Sequence, residues 1–201
     1  MFVSWTPPDP WSYSYLLGLY LGDGCVVYHD RAERLVITLD GIYPEIIEDA
    51  RAAVQLTVPR QRVSVLSVKG SRALVVQSYA KHWHEVFPQA APGRKHDRPI
   101  VLADWQRAVV DRHPEQLLRG LIHSDGCRVI NRFKTKLPSG RVAEYEYPRY
   151  FFSNLSADIR GLFCEYCERL GVRWTQSNHR NISVSHRRSV AILDAFIGPK
   201  R

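Results

Sequence analysis

The chain has 201 residues, 45% of them hydrophobic, enough to bury a core as one large domain or two small ones. Its 28 lysines and arginines against 20 acids give a formal charge of +8, spread along the chain rather than held in a tail, which favours a polyanion as partner. No run approaches the roughly 20 apolar residues of a membrane span, Met1 to Pro10 lack the basic-then-apolar layout of a secretory signal, and the four scattered cysteines do not form a disulfide framework. A cytoplasmic or nucleoid-associated protein with reduced thiols is expected.

In chain order, Leu16 to Leu21 form an apolar helix that ends at Gly22-Asp23-Gly24. Cys25 to Tyr28 and Arg34 to Leu39 read as a hairpin around the polar turn His29 to Glu33. Pro44 opens a second helix whose apolar face is Ile46, Ile47, Ala50, Ala53 and Val54. Arg62 to Val68 and Arg72 to Gln77 pair across Lys69-Gly70-Ser71, and Tyr79 to Phe87 read as a closing helix stopped by Pro88. Gln89 to Arg112 form a connector, with a short extra helix expected in its apolar second part, Ile100 to Val110.

The order then repeats. Pro114 opens a helix through His123. Cys127 to Thr135 and Tyr145 to Ser153 form a hairpin lengthened by the turn Lys136 to Glu144. Asn154 or Ser156 caps a helix to Leu170 that Gly171 ends, Val172 to Ser177 pairs with Asn181 to Ser185, and Arg187 to Ile197 form the last helix. The expected organisation is α+β, with two αββαββα half-domains at 12–88 and 114–198 joined by a connector at 89–113.

The repeat is sharpest in LLGLYLGDGC (Leu16 to Cys25) and LRGLIHSDGC (Leu118 to Cys127), identical at six of ten positions and offset by 102 residues throughout. Gly18 and Gly22 in one, and Gly120 and Ser124 in the other, lie four apart on one helix face, where small side chains let two backbones approach. Packing the two helices side by side makes Asp23 and Asp125 neighbours. Two carboxylates at the negative ends of two helices repel each other, which argues for a divalent cation between them. The shared Cys25 and Cys127 read as small buried residues at the start of a strand.

Both segments resemble the motif of the LAGLIDADG homing endonucleases, in the single-chain form with two motifs, and the αββαββα order extends the resemblance over the whole chain. It implies two half-domains packed through the motif helices, each with a curved antiparallel sheet in a saddle that holds double-stranded DNA, acting as a monomer. It implies that Asp23 and Asp125 bind Mg²⁺ for phosphodiester hydrolysis, with Gly22 and Ser124, which precede each acid, beside the ion. Polar or basic residues near each scissile phosphate would fall on Lys95, with His96 and Arg98 close by, on Lys200, and at the strand ends on Thr38 or Asp40 and on Ser153 or Asn154. The departure at Arg119 implies a helix face less buried than that at Leu17.

Outward strand positions alternate with core positions, and basic residues there can contact phosphates or base edges. The set on or between strands is Arg31, Arg34, Arg62, Lys69 and Arg72 in the first half, and Arg128, Arg132, Lys134, Lys136, Arg141, Arg149, Arg173 and Arg180 in the second. Cys164 and Cys167 form a C-x-x-C with no second pair, so zinc is not expected; Trp83 reads as core and the flanking His82 and His84 as surface. Two rivals share the scaffold: a DNA-binding regulator that does not cleave, and an RNA-splicing maturase.

Overall fold

The computed structural model describes residues 5–198 and Lys200. The elements run α1 (Pro10–Asp23), β1 (Gly24–Tyr28), β2 (Glu33–Asp40), α2 (Pro44–Thr57), β3 (Val63–Ser67), β4 (Ala73–Ala80), α3 (Trp83–Val86), α4 (Asp104–Val110), α5 (Pro114–Asp125), β5 (Gly126–Lys136), β6 (Val142–Ser153), α6 (Ala157–Arg169), β7 (Thr175–Gln176), β8 (Asn181–Val184) and α7 (Arg187–Ile197). The fold is α+β, with two four-stranded antiparallel sheets ordered β1-β2-β4-β3 and β5-β6-β8-β7, so both halves use the same strand order. No helix among the described residues is long and apolar enough to cross a membrane.

Local chemistry sets the helix starts. Asp9 caps α1 by accepting from the Trp11 and Ser12 amides at 3.1 and 3.3 Å, and Pro10, Pro44 and Pro114 stand in the first turns of α1, α2 and α5. For α6 the cap is Ser156, which accepts from Ile159, and Gly171 follows its end at φ +69°.

The molecule is organised around α1 against α5. Leu16, Leu17, Leu19, Leu117, Leu118 and Leu121 have no exposed surface, and each such burial contributes about 1.5–3 kcal/mol. A Cβ placed on Gly18 would lie 2.5 Å from the Leu117 carbonyl oxygen and 2.9 Å from the Gly120 Cα, and one placed on Gly120 would lie 2.9 Å from the Gly18 Cα and from the Leu19 nitrogen. The contacts are reciprocal under the 102-residue offset and lie backbone to backbone. Around this seam α1 is buried on all sides from Ser12 to Leu21. Helix α5 turns Arg119 outward, where it pairs with Asp49 of α2 and lies 4.7 Å from the Tyr15 ring centre. That partial exposure contrasts with the fully buried Leu17, as the sequence implied.

His123, another departure from the first motif copy, is buried between helices: Nδ1 meets the Tyr15 hydroxyl at 2.9 Å and Nε2 the Ile197 carbonyl at 3.2 Å. Burial and the nearby Arg119 hold its imidazole pKa down at about 4, so the ring is neutral and ties α1, α5 and α7 together.

Four expectations are corrected. The turn expected over Lys136 to Glu144 shortens, because Lys136 pairs with Val142, Thr135 with Ala143 and Lys134 with Glu144, extending both strands. Tyr79 and Ala80 belong to β4 rather than to a helix, because they pair with Arg34 and Glu33; the helix shrinks to α3, where the Glu33 carboxylate accepts the His84 amide at 2.8 Å. The hairpin expected from Val172 narrows to Thr175–Gln176 because the Val172 amide bonds the Cys167 carbonyl and the Arg173 amide bonds Ser189 Oγ, leaving neither for a ladder. Cys25 and Cys127 are exposed rather than buried. The two-residue period of the strands gives the buried positions to Gly24 and Gly126 and turns the cysteines to the opposite face.

Gly18→Ala and Gly120→Ala should each destabilise the protein by more than about 3 kcal/mol, since the new methyl meets backbone that cannot yield. Gly161→Ala, in α6 with nothing within 4 Å of the added carbon, should instead stabilise by up to about 1 kcal/mol. Urea unfolding of the three variants checks both signs.

Candidate metal centre and nucleic-acid face

Asp23 and Asp125 end α1 and α5, and the seam delivers them together: a Cβ on Gly22 would sit 2.5 Å from the Ser124 Cβ and 3.0 Å from Asp125 Oδ2. Two clefts of similar size, about 430 and 410 Å³, open beside this junction. The first is lined by Asp125, Gly22, Lys95, Arg98, Ser153 and Asn154. The second is lined by Asp23, Ser124, Lys200, Thr38, Asp40 and Arg72. Each cleft therefore combines one helix-ending aspartate, the end of that aspartate's neighbouring sheet, and a lysine from a segment following the other motif's half of the chain, and the second cleft adds Asp40.

Lys95 lies on a single 3₁₀ turn, Lys95–Asp97. Its ammonium donates to the carbonyls at the end of α1, to Leu21 at 3.0 Å, to Gly22 at 3.2 Å and to Tyr20, and sits 4.8 Å from the Tyr20 ring centre. It offsets the negative helix end. Burial lowers its pKa to about 8 against the pull of Asp125 and Asp23. Lys200 lies 5.6 Å from the Tyr43 ring centre and is likewise lowered by burial while Asp23 raises it. The carboxyls respond in the opposite direction. Burial first and Asp125 second push Asp23 up to about 6, with Lys200 and Lys95 opposing. Burial raises Asp125, opposed first by the hydrogen bond from Asn154 and then by the two lysines. The lysines reduce the cost of holding the acids together and do not remove it.

Asn154, rather than Ser153, touches an acid: its side-chain amide donates to Asp125 Oδ2 at 2.6 Å and its Oδ1 accepts the Ser156 amide at 2.8 Å. Ser153 lines the same cleft from the exposed end of β6. Ser124 turns its hydroxyl back onto the Gly120 and Leu121 carbonyls, both at 3.0 Å, so only its main chain is available to an ion. Asp40 holds Arg72 through two bonds of 2.7 Å, and this pairing keeps its carboxyl below the usual range.

The donor set fits a hard divalent cation. Its atoms are two carboxylates and backbone oxygens, and among the described residues no cluster of three or more His, Cys, Asp or Glu could hold an ion by itself. Mg²⁺, which keeps several waters and shares phosphate oxygens, suits so few protein ligands; zinc, which takes four close nitrogen or sulfur donors, does not.

Strand register separates the basic residues by face. Opposite partners share a face, and Leu35, Ile37 and Leu39 of β2 and Tyr150 and Phe152 of β6 mark the buried, helix-side faces. On the open face of the first sheet Arg34 donates to Gln77 Oε1 at 3.5 Å and Gln77 donates to Ser64 Oγ at 3.3 Å. On the open face of the second sheet Arg149 lies 4.6 Å from the Phe151 ring centre and donates to Ser183 Oγ at 2.7 Å. Arg128, Arg132, Lys134 and Lys136 share the helix-side register of Tyr150. Three of them are paired, Arg128 with Asp194 at 2.7 and 2.9 Å, Arg132 with Glu146 at 2.9 Å, and Lys134 with Glu144. Arg31, Arg62, Lys69, Arg141, Arg173 and Arg180 are exposed in turns and strand approaches. Arg98, which lines the first cleft, has a buried Nε with no hydrogen-bond partner among the described residues. The charged pattern in the sequence located basic residues without showing their face; the register did that.

Solved structures share this fold at low identity. The crystal structure of full-length DUF199/WhiA from Thermatoga maritima is similar with a TM-score of 0.59 and 14% identity over 100% of this chain, which spans 59% of that protein's length. I-DmoI, solved in complex with DNA and Mn, gives a TM-score of 0.56 and 15% identity over 94% of this chain and 97% of its own. The LAGLIDADG meganuclease I-AabMI bound to uncleaved DNA gives 0.55 and 10% identity over 94% of this chain and 84% of its own. No protein-family model and no curated protein matches the sequence. The likeness is one of fold.

Without divalent metal at pH 7, Asp23→Asn should raise stability by on the order of 1–3 kcal/mol, because it replaces a disfavoured charge by a neutral group of the same shape. Adding Mg²⁺ should stabilise the unsubstituted chain more than the variant and narrow the gap. Denaturant unfolding with and without chelator measures both; a large loss of stability in Asp23→Asn would show that the lysines already hold the carboxylate favourably.

Proposed function

We propose that the protein is a LAGLIDADG-type, site-specific endonuclease that hydrolyses phosphodiester bonds in double-stranded DNA with Mg²⁺ or another divalent cation. The observation that carries this reading is the pair of clefts at one helix junction, each with one of the two helix-ending aspartates and one lysine. Paired sites suit the two strands of a duplex. In this reading the half-domains, 12–88 and 114–198 with the connector 89–113, each take one half-site, and the chain acts as a monomer in the cytoplasm or on the nucleoid.

The roles follow from the groups present. Asp23 and Asp125 would hold the cation, with the main-chain oxygens of Gly22 and Ser124 beside it. A cation there supplies Lewis-acid stabilisation of charge on the phosphate. Lys95 and Lys200 place positive charge where a phosphate would enter each cleft. Asn154 fixes the Asp125 carboxylate by donating to it, and the exposed Ser153 hydroxyl is free to bond a phosphate or an ordered water. Arg34 and Arg149 stand on the faces that would meet the duplex, while the turn residues Arg31, Arg62, Lys69, Arg141, Arg173 and Arg180 reach toward its backbone. Arg72, whose partner Asp40 is exposed, can exchange that screened ion pair for a phosphate at small cost, whereas Arg128, Arg132, Lys134 and Lys136 share the helix-side register and face away from the duplex in this reading.

One observation favours a second reading, a DNA-binding protein that does not cleave. Lys95 bonds the Gly22 carbonyl that a metal would share, so the helix ends have a partial counter-charge without an ion.

Incubating a pool of random-sequence duplexes with the protein and Mg²⁺ should cleave a subset of them. Asp23→Asn and Asp125→Asn should slow that cleavage by at least about a hundredfold while still binding the same duplexes in Ca²⁺. Binding with no cleavage in any divalent cation establishes the second reading, and preference for structured RNA over duplex points to a maturase. The crossed lysines make a finer prediction: Lys95→Ala and Lys200→Ala should each slow mainly one strand, so that nicked duplex accumulates on a gel. Equal slowing of both strands would contradict one lysine per cleft.

A further inference from the structure

The second sheet carries a feature that the proposed hydrolysis does not use. β5 and β6 run 11 and 12 residues, against 5 and 8 for β1 and β2, and the extension is two-faced. Its helix-side face carries two ion pairs, Arg132 with Glu146 and Lys134 with Glu144, set between the isolated exposed side chains of Ile130 and Val142. Its open face carries Val129, Asn131 and Phe133 opposite Arg149, Tyr147 and Tyr145. Val129, Phe133 and Tyr145 are 37%, 43% and 42% exposed, an apolar stripe that water does not favour.

We propose that this stripe reads thymine, by apolar contact of the Phe133 and Tyr145 ring edges with thymine 5-methyl groups in the major groove. The inference rests on the reading above that the open faces lie against duplex DNA. Cations bracket the stripe, with Arg149 at its base and Arg141 at its tip, the latter without an ion-pair partner among the described residues. A polyanion matches that layout better than an apolar protein surface does. The ring geometry then selects the contact. Phe133 and Tyr145 are stacked, with centroids 5.2 Å apart and planes at 20°, and Tyr147 meets Phe133 nearly at right angles at 6.0 Å. The facing ring surfaces are engaged with one another, which leaves their edges to meet the groove. The major-groove edge of an A·T pair offers an apolar methyl on thymine and, on adenine, the N6 and N7 pattern that an asparagine bonds. Asn131 lies on the same face between Val129 and Phe133. The first sheet differs, since its open face presents the hydrogen-bonded series Arg34, Gln77 and Ser64, and its exposed Leu66 and Tyr79 do not form a stacked ring pair with each other.

Selection of bound sequences from a random duplex pool in Ca²⁺, followed by replacement of thymine with deoxyuridine in a selected duplex, tests this directly. Thymine should be enriched in one half of the target. Deoxyuridine in that half should weaken binding by about fourfold per methyl removed, and in the other half by less than twofold. The Phe133→Ala, Tyr145→Ala double variant, whose substitutions lie on an exposed ribbon, should bind the thymine and uracil duplexes equally. A selected duplex whose affinity is indifferent to deoxyuridine throughout overturns the methyl contact and leaves duplex binding intact. Tighter binding of the single strand than of the duplex overturns it in favour of base stacking. Failure to select any duplex overturns this inference and the proposed function together.

Discussion

The close approach of two helix backbones at Gly18 and Gly120 is the constraint on which the rest of the molecule depends. With neither residue bearing a side chain, α1 and α5 meet main chain to main chain, and the leucines flanking the glycines on both helices are removed from solvent. Each helix runs directly into the first strand of a sheet. Fixing the seam therefore fixes the relation of the two sheets and the place where the helix ends meet. Polar contacts that would be minor elsewhere lock it: His123, held neutral by burial, joins Tyr15 of α1 to the carbonyl ending α7.

The same approach creates an electrostatic problem. It brings two carboxylates to the negative ends of two helices in a partly buried junction, and their pKa values rise accordingly. The chain answers with Lys95 on the carbonyls that end α1 and Lys200 beside Asp23. These cations partly compensate the acids, and they also line the two clefts. Under the proposed function the same charges would also attract a phosphate, and an added divalent cation would relieve the remaining repulsion.

Much of this was legible in the sequence because it rests on local rules. The duplicated motif, with small residues four apart, announced the helix pair and the neighbouring acids, and Pro44, Pro114 and the Gly171 stop placed the starts of α2 and α5 and the end of α6. What was not legible depended on long-range pairing. Tyr79 and Ala80 have no local reason to prefer strand over helix; their partners Arg34 and Glu33, far back in the chain, decide it. Cys25 and Cys127 looked like buried residues until register gave that role to the glycines before them. Both Asn154 and Ser153 were candidates near an acid, and only the turn after β6 shows Asn154 reaching Asp125. Most of all, counting arginines could not show that Arg149 shares an open face with aromatic rings while Arg128, Arg132 and Lys134 face the other way with carboxylate partners.

The central claim is that the helix seam builds a shared cation site from Asp23 and Asp125. Mn²⁺ binding followed by electron paramagnetic resonance, with a bound duplex present, measures it most directly. The account predicts Mn²⁺ bound to the unsubstituted protein and at least tenfold weaker binding in both Asp23→Asn and Asp125→Asn. Mn²⁺ affinity unchanged in both variants would contradict it, and would leave the two lysines as the only counter-charge the acids require.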